Sequence, residues 1–186
     1  MAIIVCPLSQ VPAQLKARKP SHLVSLLDPH SAFPRAPDTL AHLKVSVHDI
    51  TEESAGWTAP AREHMADILA FIATWERNAP ILIHCYAGIS RSTATAFITA
   101  CIHNPAADEG EIAAALRHAS PVAWPNRRLV ALADDALGRG GRMSAAIDAI
   151  GQGVSWEEAG ENTPFEIASL FEVVAPAPPG RPKDAP

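Results

Sequence analysis

Hydrophobic and polar residues along this 186-residue chain recur with the period of a strand in some stretches and of a helix in others. Short apolar runs bounded by proline, glycine or aspartate predict buried strands. These runs are Ile3–Val5, His22–Leu27, Leu43–Val47 and Ile81–Ile83. Apolar residues three or four positions apart predict amphipathic helices between and after the strands. The helical stretches begin at Val11, Thr58, Ser90, Asp108, Asn126 and Met143. Thr58, Asp108 and Asn126 are the predicted N-caps of their helices, with Pro60 in the first turn after Thr58.

Strands interleaved with helices predict an α/β fold with a central, mostly parallel sheet of about four or five strands, flanked by helices. We expect a single domain over residues 1–174 and a proline-rich, disordered tail over residues 175–186. One segment stays ambiguous between two structures. Thr163 and Glu166 have the spacing of a helical capping box, but the residues around them could also lie extended against the body.

The most informative stretch runs from Ile81 to Ser92. Its first residues predict a strand, and from Ser90 onward the apolar residues take helical spacing. Cys85 therefore stands at the end of a strand, where a seven-residue loop ending at Arg91 enters a helix. Such a loop presents unpaired N–H groups and the positive end of the helix dipole, which suits an anion such as phosphate.

The side chains of this loop meet the other requirements of a phosphate site. Gly88 allows backbone angles that let the loop curl around an anion. Arg91 offers a planar fork that matches two phosphate oxygens. The same positive surroundings favour the thiolate form of Cys85, which is the nucleophilic form. The loop would thus hold a phosphate with the sulfur aimed at its phosphorus.

The string His84–Ser92 resembles the Cys-x5-Arg signature of the protein tyrosine phosphatase superfamily, and in particular its dual-specificity branch and small single-domain enzymes of bacterial type. The resemblance extends in pattern over residues 3–137. It implies a phospho-cysteine intermediate on Cys85, a Ser92 hydroxyl that assists the second step, and a supporting His84 that orients the loop. The phosphate-binding residues that it implies are Tyr86, Ala87, Gly88, Ile89, Ser90 and Arg91.

Breaking a phosphate ester also needs a proton for the leaving oxygen, and a positioned acid contributes about 10²–10⁴-fold. In phosphatases of the type that the chain resembles, an aspartate on an upstream loop supplies that proton. Asp49 is the candidate, because it follows a strand end and precedes a loop and a helix that lead to the catalytic strand. Glu52 and Glu53 lie close enough to be alternatives.

Two further comparisons with the dual-specificity pattern bear on the substrate. The stretch Arg117–Asn126 is similar to a segment that ends in Pro-Asn in those phosphatases. Arginines often precede the first proline there, whereas this chain has Ala119 and Ser120, so the resemblance implies no second phosphate contact at that place. The loop after Cys85 also lacks the lysines that lipid and inositol phosphatases of the superfamily often carry, which disfavours a polyanionic head group.

The composition of the chain limits which partners, compartment and cofactors we expect. A net charge of −5 disfavours nucleic acid and anionic membranes as partners. Three cysteines do not form a disulfide framework, which favours a reducing cytoplasm. Cys6 and Cys101 are then either core residues or resolving thiols that protect Cys85 from over-oxidation. The eight histidines show no metal-binding spacing, so neither a metal nor another cofactor is expected.

These observations predict a phosphomonoester hydrolase acting on phosphotyrosine, with phosphoserine and phosphothreonine as further candidates, in phosphorylated proteins or small phosphomonoesters. Two other functions stay open. A catalytically weak phosphate-binding or phosphopeptide-binding module would follow if Asp49 were misplaced. A sulfurtransferase of rhodanese type also uses a cysteine in an anion-binding loop, although Ser92 and Asp49 argue against it. The oligomeric state does not follow from the sequence.

Overall fold

The computed structural model describes residues 1–154 and 156–172, and a five-stranded sheet runs through their centre. The strand order is β3-β2-β4-β1-β5, in which β5 alone is antiparallel to its neighbour and the other described strands are parallel. The strands are β1 (Ala2–Pro7), β2 (His22–Leu27), β3 (Ala41–Ser46), β4 (Ile81–Cys85) and β5 (Phe165–Ala168). The predicted α/β fold with a mostly parallel sheet is confirmed.

Helices flank this sheet on both faces, and a short 3-10 turn at Leu8–Gln10 precedes the first of them. The helices are α1 (Val11–Arg18), α2 (Arg62–Ala73), α3 (Arg91–His103), α4 (Glu109–Ala119), α5 (Arg127–Ala136), α6 (Arg142–Ile150) and α7 (Trp156–Ala159). Asp108 and Asn126 cap α4 and α5 through their side chains, as predicted. No helix in the described part of the chain is long and apolar enough to cross a lipid bilayer.

The alternation of side chains along β1 explains the two layers. Ile3 and Val5 point into the main core, where α2 to α6 pack, whereas Ile4 and Cys6 point to the other face, against Val11 of α1. Because every second residue of a strand faces the same side, an unbroken apolar run is what a strand buried on both faces requires. The unbroken apolar run of β1 therefore fits its interior position in the sheet, between β4 and β5.

Helix α3 is buried all round rather than along one stripe. Every residue from Arg91 to Cys101 is buried, including three threonines. Thr95 and Thr99 satisfy their hydroxyl groups within the helix, by donating to the carbonyls of Arg91 and Thr95 at 2.9 and 2.7 Å. The polar residues of this helix therefore cost little to bury, and the helix can lie at the centre of the molecule directly behind the cysteine loop.

The predicted start of α2 is wrong. The helix begins at Arg62 with Ala61 as its N-cap, so Thr58 is not the cap and Pro60 lies before the first turn. His64 closes this end, since its Nδ1 accepts from the Ala61 N–H at 3.1 Å. The backbone of Thr58 is occupied elsewhere, because it pairs with His48 at the base of the preceding loop.

The ambiguous C-terminal segment is extended. Phe165–Ala168 forms β5 and pairs with β1, with Ile167 opposite Ile3, so the capping-box spacing of Thr163 and Glu166 starts no helix. Strand β3 also differs from its prediction, since it begins two residues earlier, at Ala41, and ends at Ser46. The predicted tail over residues 175–186 lies outside the described residues, and the single domain over residues 1–174 stays a prediction.

Candidate active site

Cys85 ends β4, the middle strand of the sheet, and the loop that follows it opens into a cavity of about 920 Å³. The cysteine is buried, and its Sγ lies 3.2 Å from the hydroxyl Oγ of Ser92 in the first turn of α3. The cavity walls come from this loop, from residues 49–52, from Trp57 and from residues 124–127. The predicted pair of Cys85 and Ser92 is thus brought together at the carboxyl end of the sheet.

The carbonyl groups of this loop, which we call the phosphate loop (Cys85–Arg91), are held by hydrogen bonds from the protein around it. Each carbonyl from Cys85 to Ser90 accepts a hydrogen bond from the surrounding protein. The donors, in order, are His84 Nδ1, Leu8 N–H, Asn162 N–H, Asn162 Nδ2, Trp124 N–H and Asn126 N–H. Because the C=O and N–H of a trans peptide point in opposite directions, this pattern directs the N–H groups of the loop into the cavity.

Both the backbone angle at position 88 and the lack of space for a side chain require a glycine there. Its φ is +75°, a conformation that L side chains rarely adopt. A Cβ at this position would also lie 2.9 Å from the carbonyl carbon of Cys6 and from the nitrogen of Pro7. The phosphate loop therefore packs directly against the backbone of β1, which no other residue type would allow without a shift.

Arg91 is buried and already engaged. Its Nη1 donates to Asp28 Oδ1 and to the Val47 carbonyl, both at 2.6 Å, and its Nε lies 3.6 Å from Asp49 Oδ2. Only 4% of the side chain is exposed, so these two carboxylates provide its counter-charge. Sequence reasoning missed Asp28, although its place directly after β2, the strand beside β4, was a usable signal.

Asp49 lies against the phosphate loop from the opposite wall. Its Oδ1 accepts from the Ser90 hydroxyl at 2.6 Å and from Asn126 Nδ2 at 2.8 Å. Its side chain keeps 31% exposure to the cavity. The structure thus brings the predicted acid to the site, and it also reveals Asn126, predicted only as a helix cap, as a contact of that carboxylate.

The two alternative acids differ in position. Glu53 is exposed and paired with Arg128 at 2.8 Å, and it lines a neighbouring cavity rather than the main one. Glu52 lies on the wall of the main cavity. The position of Glu53 therefore argues against it, while Glu52 keeps access to the same space as Asp49.

His84 supports the loop through a hydrogen-bonded chain that crosses three strands. Its Nδ1 donates to the Cys85 carbonyl at 3.1 Å, so its Nε2 accepts from the Ser25 hydroxyl at 2.6 Å. Ser25 in turn accepts from Nε2 of His42 on β3 at 2.8 Å. Burial lowers the pKa of His84 to about 4 and that of His42 to about 4, so both rings are neutral at pH 7, as this chain requires.

The remaining cysteines are buried in the core. Burial raises the pKa of Cys6 to about 12 and that of Cys101 to about 12, which disfavours the thiolate that a resolving cysteine needs. Cys6 lies on the α1 face of the sheet, and Cys101 packs in the main core. Of the two open interpretations, their surroundings favour packing over redox chemistry.

Comparisons with known proteins agree with this geometry. Residues 42–121 match the family model of protein-tyrosine phosphatase. Dual specificity protein phosphatase 15 of Rattus norvegicus is 33% identical over 116 residues, which cover 62% of this chain and 45% of the relative. The Mus musculus protein of the same name is 32% identical over the same shares. This chain therefore spans less than half of the length of the curated relatives it matches.

Solved structures show the same fold. The crystal structure of DUSP15 superposes with a TM-score of 0.57 at 21% identity, over 78% of this chain and 88% of that chain. The human tyrosine phosphatase-like serine/threonine/tyrosine-interacting protein gives 0.56 at 17% identity, over 73% and 90%. The signature, the loop geometry and the match over residues 42–121 agree with one another, and this part of the chain is similar to dual-specificity members of the Cys-based protein tyrosine phosphatase superfamily.

Proposed function

We propose that this protein hydrolyses phosphomonoesters through a phospho-cysteine intermediate on Cys85. One observation carries the proposal. The Cys85 sulfur lies beside the Ser92 hydroxyl, at the start of a loop whose carbonyls from Cys85 to Ser90 all accept hydrogen bonds from the protein, and Asp49 contacts that loop. This arrangement places a nucleophile, an anion-binding loop and an acid around one cavity.

The phosphate loop and Arg91 bind the substrate in this mechanism. The N–H groups of the loop receive the phosphoryl oxygens, as at other helix N-termini. Arg91 adds its fork, and the incoming dianion takes over part of the counter-charge that Asp28 and Asp49 supply in its absence. Preorganised donors of this kind need no rearrangement when charge develops on the phosphoryl oxygens.

Two chemical steps follow. In the first, the Cys85 thiolate forms a bond to phosphorus while the bond from phosphorus to the ester oxygen breaks, and Asp49 gives its proton to that oxygen. In the second, a water attacks the phospho-cysteine and loses a proton to Asp49. The phosphorus–sulfur bond breaks, and the Ser92 hydroxyl, 3.2 Å away, donates a hydrogen bond to the departing thiolate.

The substrate class is a phosphorylated protein, with phosphotyrosine first and phosphoserine and phosphothreonine as further candidates. Two exposed aromatic side chains, Trp57 and Tyr86, stand at the cavity and offer apolar surface to a phosphotyrosine ring or its peptide. Three free cysteines suit a reducing cytoplasm. The net charge of −5 supports neither a nucleic-acid nor a membrane partner.

A phosphate-binding module of low activity is the second candidate, because Arg91 is held by two carboxylates and Asp49 by two hydrogen bonds. It would bind phosphate, yet the acid would not reach the leaving oxygen. The rhodanese-type alternative is not favoured, since the family match and the relatives are phosphatases.

The test is hydrolysis of an aryl phosphate and a phosphopeptide panel by the pure protein with EDTA present. We expect metal-independent turnover, and we expect Cys85→Ser to lose turnover by on the order of 10⁴–10⁶-fold while it still binds inorganic phosphate. Turnover by Cys85→Ser at the wild-type rate would contradict the mechanism. Phosphate binding by a wild-type protein without any turnover would support the binding module instead.

A further inference from the structure

Asn162 contacts the phosphate loop from the side that faces away from the cavity. Its backbone N–H donates to the Ala87 carbonyl at 2.9 Å. Its side-chain Nδ2 donates to the Gly88 carbonyl at 2.9 Å and to the Ser120 hydroxyl at 3.0 Å. The residue is 7% exposed, so the loss of these contacts would leave the partner groups unpaired and shielded from bulk water.

The segment that holds Asn162 is fixed on both sides of it. We call residues 160–168 the C-terminal strap. Glu161 accepts from the Ser9 hydroxyl at 2.6 Å, and β5 pairs with β1, the strand next to β4. Asn162 is thus held over the phosphate loop by the same sheet that holds Cys85. The strap also lies beyond residues 42–121, the part that matches the phosphatase family model.

The two carbonyls that Asn162 holds belong to the part of the loop that is easiest to rotate. Because glycine has no Cβ, its φ and ψ both range widely, so the two peptide units that meet at Gly88 reorient with the least steric resistance. A rotation of the second unit would turn the Gly88 carbonyl towards the cavity and the Ile89 N–H away from it. The loop would lose one N–H group that binds the anion and gain a carbonyl oxygen that repels it. The hydrogen bond from Asn162 Nδ2 to the Gly88 carbonyl opposes that rotation directly.

We infer that Asn162 is a positioning residue of the reaction proposed above. It holds the Ala87 and Gly88 carbonyls outward and so keeps the N–H groups of the phosphate loop directed at the substrate phosphate. The inference rests on the proposed function for its kinetic consequences, but its effect on phosphate binding can be measured without turnover.

The experiment compares Asn162→Ala and Asn162→Asp with Ser9→Ala in the full chain. Both Asn162 variants keep the backbone N–H for Ala87 and lose the donor for Gly88, and the aspartate also sets a carboxylate against that carbonyl. We expect the dissociation constant for inorganic phosphate to rise about tenfold and kcat/KM to fall about 10²-fold, because small misplacements of a site have effects of that size. Ser9→Ala, which removes the neighbouring contact of the same strap, should stay within about twofold for both quantities, because exposed polar contacts contribute little.

Melting temperatures separate positioning from folding, and every variant is assayed below its own melting temperature. Folded Asn162 variants with wild-type phosphate affinity and kcat/KM would overturn the inference. Loss of the folded state in both variants would overturn it as well, since Asn162 would then stabilise the whole fold. A wild-type protein that binds phosphate without turnover would contradict the proposed function, while the affinities of the variants would still decide the role of Asn162.

Discussion

The phosphate loop and the loop at residues 48–58, which we call the acid loop, face each other across one cavity and are held in opposite ways. Along the phosphate loop, each carbonyl from Cys85 to Ser90 accepts a hydrogen bond, and Gly88 packs on the backbone of β1. Residues 51–58 of the acid loop are exposed throughout. The half of the site proposed to bind phosphate is therefore preorganised, and the half that carries the proposed acid has the weaker support.

The acid loop is nevertheless anchored at three places. Its base closes where His48 and Thr58 exchange hydrogen bonds, at 2.8 and 2.9 Å. Asn126 holds Asp49, and Arg128 donates to the Pro60 carbonyl at 2.6 Å and pairs with Glu53. Both anchoring side chains lie at the start of α5, so this helix sets the position of the proposed acid, Asp49, relative to the phosphate loop.

The largest expected effect that separates the two loops comes from Asp49→Asn. If Asp49 is the general acid, the variant should hydrolyse phosphotyrosine about 10²–10⁴-fold more slowly, because a high-pKa leaving oxygen needs a proton. An activated aryl phosphate needs less help, so its hydrolysis should fall clearly less. Affinity for inorganic phosphate should change little. Steady-state kinetics on both substrates measure the difference.

Glu52→Gln and Glu53→Gln are the matched controls for Asp49, since they remove a carboxylate from the same loop. Glu53 lies at the neighbouring cavity with Arg128, so its variant should behave like the wild type. If Glu52→Gln reproduces the leaving-group dependence while Asp49→Asn does not, the acid is Glu52 and the proposed role of Asp49 is wrong.

A pair of glycine variants tests the contrast between a packed and an open loop. Gly88 and Gly56 have similar positive φ values, +75° and +81°, but a Cβ at Gly56 would meet nothing within 4 Å. Gly88→Ala should lower the free energy of unfolding by about 2–4 kcal/mol, from backbone strain and overpacking together. It should also weaken phosphate binding and slow hydrolysis of every substrate by about 10²-fold.

Gly56→Ala carries the strain of a positive φ without the overlap. It should cost about 1–2 kcal/mol in stability and leave phosphate affinity unchanged. Urea denaturation and phosphate titration of the two variants give both quantities. Equal effects of the two substitutions on phosphate affinity would show that the phosphate loop is no more tightly constrained than the acid loop.

The phosphate loop could be predicted from the sequence because its chemistry is local. A strand end, a glycine, an arginine and a helix start stand within twelve residues, so spacing alone places Cys85, Arg91 and Ser92 in one site. The acid loop was predictable only in outline. Its order along the chain indicates Asp49, but the choice against Glu53 depends on contacts with α5, which begins far along the chain.

The contacts that support the site from behind could not be predicted, because they join residues far apart in sequence. Asn162 reaches Gly88 across 74 positions, and Ser25 reaches His84 across 59. No local pattern marks a polar residue as the partner of a particular carbonyl or ring. The start of α2 was mispredicted for a related reason, since Thr58 has the residue type of a cap but is used by His48.

Arg91 links the two loops, and Asp28→Asn tests how its charge is shared. In the absence of phosphate, Asp28 and Asp49 neutralise the buried guanidinium. Without the Asp28 charge, a bound phosphate becomes more important to Arg91, so the phosphate dissociation constant should fall by roughly 3–10-fold. Stability without phosphate should fall by about 1–3 kcal/mol, because the buried cation loses a partner.

Thermal and urea denaturation with and without inorganic phosphate measure both expectations for Asp28→Asn. Asp135→Asn, which breaks the exposed ion pair with Arg62, is the control. It should change neither the dissociation constant for phosphate nor the stability without phosphate. A weaker phosphate affinity in Asp28→Asn would mean that Asp28 orients Arg91 for the substrate rather than competes with the substrate for it.

The smallest expected effect concerns pH and the hydrogen-bonded chain behind the phosphate loop. His84 and His42 each have a pKa lowered to about 4 in the fold, so between pH 4 and 6.5 the folded protein binds fewer protons than the unfolded chain. Their contribution to stability is complete above about pH 6.5 and is lost as the pH falls towards 4. Fully buried His84 should account for most of it, on the order of 2–3 kcal/mol, and half-exposed His42 for less.

Urea denaturation at pH 7 and pH 4.5 checks this in the wild type, His84→Gln, His42→Gln and the exposed control His118→Gln. His84→Gln should lose stability at pH 7 but show a flatter dependence on pH, and His118→Gln should follow the wild type. Because the chain from His42 to Cys85 runs through the sheet, acid should weaken the support of the phosphate loop, and phosphate affinity should fall along with stability. A pH dependence of stability that is the same in His84→Gln as in the wild type would contradict the neutral His42–Ser25–His84 chain as a support of Cys85.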